Sequence, residues 1–275
     1  MPNTPTPLTA LLTRFIADSD GYRDMPVPPD AATQRKALRA LMNIRMPRPM
    51  DAATLALQDE YLAQRAQERG VVDAAALPTV RQQYASAHPA ADRVCLWQGD
   101  ITRLAADAIV NAANSQMLGC FVPLHSCIDN CVHTYAGIQL RAECARQMAA
   151  LRAEHGPDYE QPTAVPMLTD GYALPAKKVI HIVGPIVEGS LTPAHERALA
   201  ACYENTLALC RAHNLNSVAF CCISTGVFRF PAERAAEIAV DTVARALAAA
   251  PAPARVIFNV FRDEDLRIYE DLLKR

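Results

Sequence analysis

Ala108-Ile109-Val110-Asn111-Ala112-Ala113-Asn114 starts as an apolar strand, through Val110, and ends in a run of small and amide side chains. Soon after it comes Gly119-Cys120-Phe121-Val122-Pro123-Leu124-His125-Ser126-Cys127, which places two thiols and an imidazole in a C-x4-H-x-C spacing. Zinc sites in proteins are built from cysteine sulfur and histidine nitrogen. The two segments together predict a buried strand that leads into a metal-binding loop.

The loop offers three metal ligands, Cys120, His125 and Cys127. Spacing alone leaves a second trio open, Cys127, Cys131 and His133, and either Cys131 or His133 can complete the first trio as a fourth ligand. Four protein ligands are typical of structural zinc, whereas three leave a position for water or substrate. The competing interpretation, that cysteines are small core residues, is preferred for the isolated ones. These are Cys95, Cys144, Cys202, Cys210, Cys221 and Cys222.

Strand and helix patterns alternate on both sides of this stretch. Apolar runs predict strands at 94–97, 108–110, 178–183, 217–223 and 255–261, and helical periodicity predicts helices at 133–152, 192–213, 231–249 and 264–273. Strands that alternate with helices indicate an α/β fold with a largely parallel sheet, in which ligands bind at the carboxyl ends of the strands. His181 lies within one apolar strand and is predicted to be a satisfied core or edge histidine.

The N-terminal part of the chain has a different pattern. Residues 1–70 show helical periodicity, with predicted helices at 7–18, 33–44 and 51–69, and no strand pattern. Asp51 fits the N-cap of the third helix, and Gly70 fits the residue that follows it. We therefore predict a helical extension over residues 1–80 and an α/β domain over residues 81–275.

Composition excludes several classes of partner. The net charge is −2 and the pI is about 6.4, so no overall positive field favours nucleic acid. No apolar run is long enough to span a bilayer, and residues 1–5 lack the basic and apolar segments of a signal peptide. We expect a cytoplasmic protein with reduced cysteines and with neither a membrane nor a nucleic acid partner.

Two further loops follow predicted strands and carry glycine or polar residues, 99–102 and 224–231. In the second loop Gly226 permits a positive φ, and successive backbone N–H groups before a helix favour an anion such as phosphate. A simple strand-to-helix turn is the other interpretation of this loop. Neither a P-loop nor a dinucleotide-binding glycine motif occurs in the chain.

Three motifs, taken in order, resemble the macrodomain pattern: Gly99-Asp100-Ile101-Thr102, Val110–Asn114, and Ser224-Thr225-Gly226-Val227-Phe228 before Phe230-Pro231. Macrodomains bind ADP-ribose. The Cys/His loop at 119–127 and the residues after it resemble the zinc-containing class, which removes ADP-ribose from proteins and typically has an N-terminal helical extension. The resemblance runs from about residue 80 to the end. It implies a three-layer α/β/α fold with a mostly parallel mixed sheet.

The resemblance also implies roles for single residues. Asp100 would bind the adenine amino group beside the Ile101 backbone, with Phe261 against the ring, and Asn114 would contact the distal ribose near the scissile bond. The diphosphate and distal ribose would be enclosed by Ser224, Thr225, Gly226, Val227 and Phe228. One zinc ion per chain would be bound by Cys120, His125 and Cys127, which with Asn114 form the catalytic set. Arg229 departs from the pattern, because many macrodomains have glycine there.

The activity that this resemblance implies is zinc-dependent hydrolysis of mono-ADP-ribose from modified protein side chains, with carboxylate-linked ADP-ribose as the expected substrate. The zinc would either activate water or orient the substrate. The alternative is a non-catalytic reader module that binds ADP-ribose and has a structural zinc. A sirtuin-type ADP-ribosyltransferase and a lipoyl-carrier protein are the partners that the resemblance suggests.

Overall fold

The computed structural model describes residues 6–274. Residues 1–5, on which the signal-peptide argument rests, and residue 275 lie outside the described residues. None of the helices within 6–274 combines the length and apolar character needed to cross a bilayer. The helices are α1 (Pro7–Asp18), α2 (Ala31–Ile44), α3 (Ala52–Arg69), α4 (Val80–Tyr84), α5 (Ile128–Ala136), α6 (Ile138–His155), α7 (Pro193–Ala212), α8 (Ala232–Ala249) and α9 (Asp263–Leu273). The strands are β1 (Val72–Asp73), β2 (Val94–Gln98), β3 (Leu104–Ala105), β4 (Ala108–Ala113), β5 (Met167–Asp170), β6 (Lys178–Val183), β7 (Ser217–Phe220) and β8 (Arg255–Val260).

Six strands form the main sheet in the order β2-β8-β7-β4-β6-β5, and β1 pairs separately with β3. All neighbours in the main sheet are parallel except β5, which runs antiparallel to β6 at one edge. Helices cover both faces, which explains why the central strands read as continuous apolar runs. The predicted three-layer fold with a mostly parallel mixed sheet is confirmed. The loops after β2, β4, β7 and β8 therefore gather at one edge of the sheet.

The largest differences from the sequence prediction concern β4, β7 and the helical region around Gly137. The strand predicted at 108–110 continues to Ala113, because residues 111–113 pair in register with residues 181–183 of β6, and the buried Asn111 amide donates to Asp129. The strand predicted from Ser217 already ends at Phe220. The helix predicted from His133 is two helices, α5 and α6, separated at Gly137. There φ is +93°, and a Cβ would lie 2.6 Å from Nε2 of a glutamine in α3. The short edge strand β5 carried too little pattern to be predicted.

The three N-terminal helices pack around their own hydrophobic cluster, which also includes Ile138 of α6. Arg141 of α6 connects this cluster to the α/β part. Its Nη1 donates to the carbonyl oxygens of Met42 (3.1 Å), Asn43 (2.8 Å) and Arg45 (2.8 Å), at the carboxyl end of α2. These are carbonyls that a helix end leaves without an intrahelical partner. The hydrophobic core of the α/β part includes residues from Ala74 onward. The division of the chain into two parts at residue 80 stays a prediction.

Candidate active site

The loop after β4 brings the side chains of Cys120, His125 and Cys127 together. One donor atom from each lies within 4.8 Å of the other two, and Cys120 Sγ is 3.5 Å from His125 Nδ1. All three residues are half-buried. Two sulfur donors and one imidazole nitrogen suit zinc, and three protein ligands leave room for a fourth, exchangeable one. The residues present therefore fit the metal that the resemblance implies, and they are the ones that would hold it.

Local backbone geometry explains how the loop reaches this arrangement. Gly119 has φ +79°, and a Cβ there would lie 2.6 Å from Cδ2 of His133, so the turn requires glycine. Cys127 is the N-cap of α5, where its Sγ accepts the Asn130 N–H at 3.4 Å. Burial raises the pKa of the Cys127 thiol, the Asn130 N–H opposes the rise, and Cys120 and Asp129 add to it. Metal binding would therefore displace a proton from this thiol.

The alternative ligand trio is not assembled. Within residues 6–274, Cys131 Sγ does not join a group of three close donor atoms; it accepts instead from Arg39 Nη2 at 3.8 Å. The His133 ring lies on the buried side of the loop, with its Nε2 3.6 Å from Asp129 Oδ1. Neither residue is placed as a fourth ligand beside the Cys120, His125 and Cys127 donors.

A second Cys/His group is wholly buried and consists of His133, Cys144 and His181. The two ring nitrogens of His181 already have partners. Nδ1 accepts from the Asn111 amide at 3.1 Å, so Nε2 carries the hydrogen and faces the Thr169 hydroxyl at 3.0 Å. Burial lowers the pKa of His181 to about 3, so the ring is neutral. This confirms the prediction of a satisfied core histidine.

Asn114, at the end of β4, is fixed by hydrogen bonds on both ends of its amide. Nδ2 donates to Gly119 O (3.2 Å) and to Asp129 Oδ2 (3.2 Å), and Oδ1 accepts from the Gln116 N–H (3.1 Å). The other oxygen of Asp129 accepts from Asn111 Nδ2 at 2.8 Å. One lone pair of Asn114 Oδ1 is left for a ligand. Asp129 therefore orients the Asn114 amide.

The loop after β2 presents a carboxylate next to an exposed ring. Asp100 Oδ1 accepts from the Thr102 N–H (3.0 Å) and hydroxyl (2.6 Å), and Arg69 Nη1 donates to Oδ2 at 3.4 Å. Ile101 is buried below. Phe261 directly follows β8, the neighbour of β2, and its side chain is 72% exposed. A hydrogen-bond acceptor and a free aromatic face at adjacent strand ends suit a planar base.

The loop after β7 has a backbone conformation that can bind an anion, but the positive φ angles are not at its glycine. Gly226 does not adopt the positive φ that glycine permits; Ser224 (+65°) and Arg229 (+57°) do. The turn is closed by Phe230 N–H to Ser224 O and by Arg229 N–H to Gly226 O, both 3.0 Å. Within residues 6–274, the N–H groups of positions 226–228 donate to no protein acceptor. Successive free N–H groups of this kind bind phosphate oxygens.

Comparison with known proteins places the chain in a family. The family model described as Macro domain matches residues 110–239. A Treponema medium protein named protein-ADP-ribose hydrolase is 42% identical over 96% of this chain and 96% of its own length. This chain belongs to the Macro domain family. A Fusarium oxysporum f. sp. cubense protein named probable bifunctional ADP-ribose hydrolase/ADP-ribosyltransferase is 36% identical to this macrodomain, over 94% of this chain and 45% of that protein.

A solved structure is similar to this macrodomain over most of the chain. The Trypanosoma brucei macrodomain in complex with ADP-ribose superposes with a TM-score of 0.64 at 27% identity. The match covers 86% of this chain and 94% of that one. The macrodomain fold therefore accounts for most of the chain.

Stability of this macrodomain is expected to depend on the protonation of Asp129. The side chain is 8% exposed, and burial raises its pKa to about 6, against the lowering effect of Asn111, Arg141 and Asn114. The folded protein therefore holds this proton more tightly than the unfolded chain, whose carboxyl has a pKa of about 3.9. The contribution of Asp129 to the free energy of unfolding therefore falls by about 3 kcal/mol as pH rises from about 4 to 6. It stays at that lower value at higher pH.

The measurement for this prediction is urea unfolding of the zinc-free protein from pH 4 to pH 7, for the wild type and Asp129→Asn. Asparagine cannot titrate, so the stability of the variant should improve relative to the wild type as pH rises through the window. Identical pH profiles would show that Asp129 does not titrate as expected.

The macrodomain loop after β7 depends on Gly184, which directly follows β6. A Cβ on Gly184 would lie 2.1 Å from Ser224 Oγ and 2.8 Å from Ile223 Cγ2. Ser224 is buried, and its hydroxyl has no hydrogen-bond partner in residues 6–274. We expect Gly184→Ala to displace the loop and weaken ADP-ribose binding about tenfold or more, since overpacking costs about 1–3 kcal/mol. Calorimetry checks this against Gly21→Ala, whose Cβ would have open space; equal affinities would contradict it.

Proposed function

We propose that this macrodomain is a zinc-dependent hydrolase that removes mono-ADP-ribose from modified protein side chains, with a carboxylate as the expected attachment point. The observation that carries the proposal is the donor trio of Cys120, His125 and Cys127, which lies in the same loop system as Asn114, at the ligand-binding edge of the sheet. The Treponema medium relative, named protein-ADP-ribose hydrolase, supports the reaction class.

The nucleotide part of the substrate would lie along the gathered loops. Asp100 would accept from the adenine amino group beside the Ile101 backbone, while Phe261 would stack on the base. The free N–H groups at positions 226–228, with Ser224 and Thr225 before them, would hold the diphosphate. The Trypanosoma brucei macrodomain in complex with ADP-ribose supports this choice of ligand.

Residues of the chain would then fix the distal ribose for hydrolysis. The free lone pair of Asn114 Oδ1 can accept from a ribose hydroxyl, and Asp129 prevents the amide from rotating. When bound, zinc supplies a positive charge that orients a substrate oxygen or activates water, with two thiolate ligands moderating its Lewis acidity. Asp129 is held by Asn111 and Asn114, so it serves orientation rather than proton transfer in this scheme.

The competing function is a reader that binds ADP-ribose around a structural zinc. One observation favours the reader. Both hydrogens of the Asn114 NH2 group are occupied by hydrogen bonds within the protein, to Gly119 and Asp129. Both functions predict the same binding loops. They differ in whether ADP-ribose is released from the modified protein.

The proposal includes partner proteins that add ADP-ribose or carry it. The Fusarium relative combines a hydrolase with an ADP-ribosyltransferase in its name, which supports a transferase acting with this macrodomain. A sirtuin-type transferase, a lipoyl-carrying acceptor and a cytoplasmic location stay predictions from the sequence.

The deciding experiment is a time course of ADP-ribose release from a carboxylate-modified protein, run beside a binding measurement on the same sample. The proposal expects progressive release of free ADP-ribose by the zinc-loaded protein. Tight binding of the modified protein without release would support the reader, and an absence of ADP-ribose binding would exclude both functions.

A further inference from the structure

The helical extension contacts the Cys/His loop directly. Arg39 lies in α2, and its Nη2 donates to the carbonyl oxygen of His125 (2.7 Å) and to Oδ1 of Asn130 (3.0 Å). Asn43, four residues further along α2, accepts from the Leu124 N–H at 3.0 Å. Residues four apart lie on the same face of a helix. One face of α2 therefore binds the backbone of the loop at two points next to the imidazole ligand.

Asn130 extends the contact from Arg39 to the other ligands. It is fully buried in the first turn of α5, and its Nδ2 donates to the carbonyl oxygens of Cys120 (3.2 Å) and Val122 (3.0 Å). Because Arg39 donates to Oδ1, the amide is fixed with its NH2 group towards the loop. The backbone N–H of Asn130 donates to Cys127 Sγ at 3.4 Å. One guanidinium thus restrains His125 directly and Cys120 through the Asn130 amide, and the backbone of Asn130 contacts the third ligand, Cys127.

We propose that Arg39 is a positioning residue for the metal site: it holds the backbone of the loop so that Cys120, His125 and Cys127 present their donor atoms together before metal binds. The proposal rests on the proposed function and adds the helical extension to the site. Groups that orient metal ligands change metal affinity by about 10–100-fold when they are removed. Arg39 is 81 positions before the first ligand in sequence, so this role depends entirely on how α2 packs.

The test compares Arg39→Met with Arg39→Lys and with a control on the same helix, Arg35→Met. Methionine keeps an unbranched stem and removes the donors; lysine restores a cationic donor. Arg35 is exposed, and its ion pair is with Glu68 of α3 at 3.9 Å, away from the loop. Zinc affinity is measured by competition with a chromophoric chelator. Cobalt(II) substitution adds a spectroscopic readout, because the sulfur-to-cobalt charge-transfer bands report ligand geometry.

We expect Arg39→Met to lower zinc affinity about 10–100-fold and to alter the cobalt spectrum. Arg39→Lys should recover part of the affinity, and Arg35→Met should match the wild type. Wild-type affinity with an unchanged cobalt spectrum in Arg39→Met would overturn the proposal. Thermal unfolding of the zinc-free proteins shows whether each variant folds; if Arg39→Met does not, Arg39→Gln, whose shorter amide cannot span both acceptors, replaces it with the same expected results.

The zinc-affinity and cobalt(II) measurements need no ADP-ribosylated substrate. A wild-type protein that binds zinc but releases no ADP-ribose would contradict the proposed function, and the role of Arg39 would still be decided by the affinities. A wild-type protein that binds no zinc would overturn both.

Discussion

Replacing Cys127 with alanine is expected to remove zinc from the protein and to reduce turnover by about 100-fold or more, because a site with one thiolate and one imidazole holds the metal too weakly. Cys127 is both a member of the donor trio and the N-cap of α5. The variant therefore loses a ligand at the point where the loop joins the helix. Metal analysis and the rate of ADP-ribose release, measured on the same preparation, check this expectation.

Cys131→Ser is the matched control for this variant. Its sulfur lies in the same helix, is half-buried and stays outside the donor trio. The control should retain zinc and turn over at the wild-type rate. A zinc-free Cys127→Ala protein with unchanged turnover would show that the metal is not needed for catalysis, and would leave it at most a structural role.

The second large effect is expected for Asn114→Ala. The change removes the proposed ribose contact and also leaves Asp129 Oδ2 and Gly119 O without the Asn114 amide. Since misplacing a reacting group by about 1 Å can cost about 100-fold in rate, we expect kcat to fall by about that factor. Affinity for ADP-ribose should fall much less, because the adenine and diphosphate contacts lie on other loops.

Gln116→Ala is the control for Asn114. Its side chain is exposed and binds Glu160 at 2.6 Å, while the contact to Asn114 Oδ1 comes from the backbone N–H, which alanine keeps. Turnover of this control should be unchanged. If Asn114→Ala keeps its kcat, or loses affinity and kcat in equal measure, the residue does not orient the ribose at the reacting bond.

Local signals in the sequence predicted much of the fold. Asp51, the predicted N-cap of α3, accepts the N–H three residues on, which is a contact within one helical turn. Central strands such as β6 could be predicted because both faces are buried and, after Lys178, every side chain except His181 is apolar. The separation of α5 from α6 at Gly137 could not be predicted from the sequence. It depends on the close approach of α3, which is remote in the chain.

The candidate site likewise has one part that the sequence indicates and another part that depends on contacts remote in the chain. The donor trio lies within eight consecutive residues, so its spacing alone indicated a metal loop. The side chains that hold this loop come from elsewhere. Arg39 and Asn43 lie 86 and 81 positions from the loop residues that they contact, His125 and Leu124, and Arg141 reaches Leu118 O from α6 at 2.8 Å. Such contacts follow from tertiary packing, which no periodicity or motif in the chain encodes.

The backbone of the phosphate loop shows a further limit. Glycine is the residue that most easily takes a positive φ, so Gly226 was the natural choice. The positive values fall instead on Ser224 and Arg229, where side chains with a Cβ carry a conformational cost. A residue held in this region persists only where the surrounding structure requires it, and here Phe230 N–H to Ser224 O closes the turn.

The most direct test of a catalytic zinc in the Cys/His loop is a zinc titration of the stripped enzyme. Zinc is removed with a chelator and returned in steps, and the rate of ADP-ribose release from a carboxylate-modified protein is measured at each step. We predict that the rate is very low without zinc and rises linearly until one zinc per chain is bound. A stripped protein that releases ADP-ribose as fast as the zinc-loaded one would contradict the proposal.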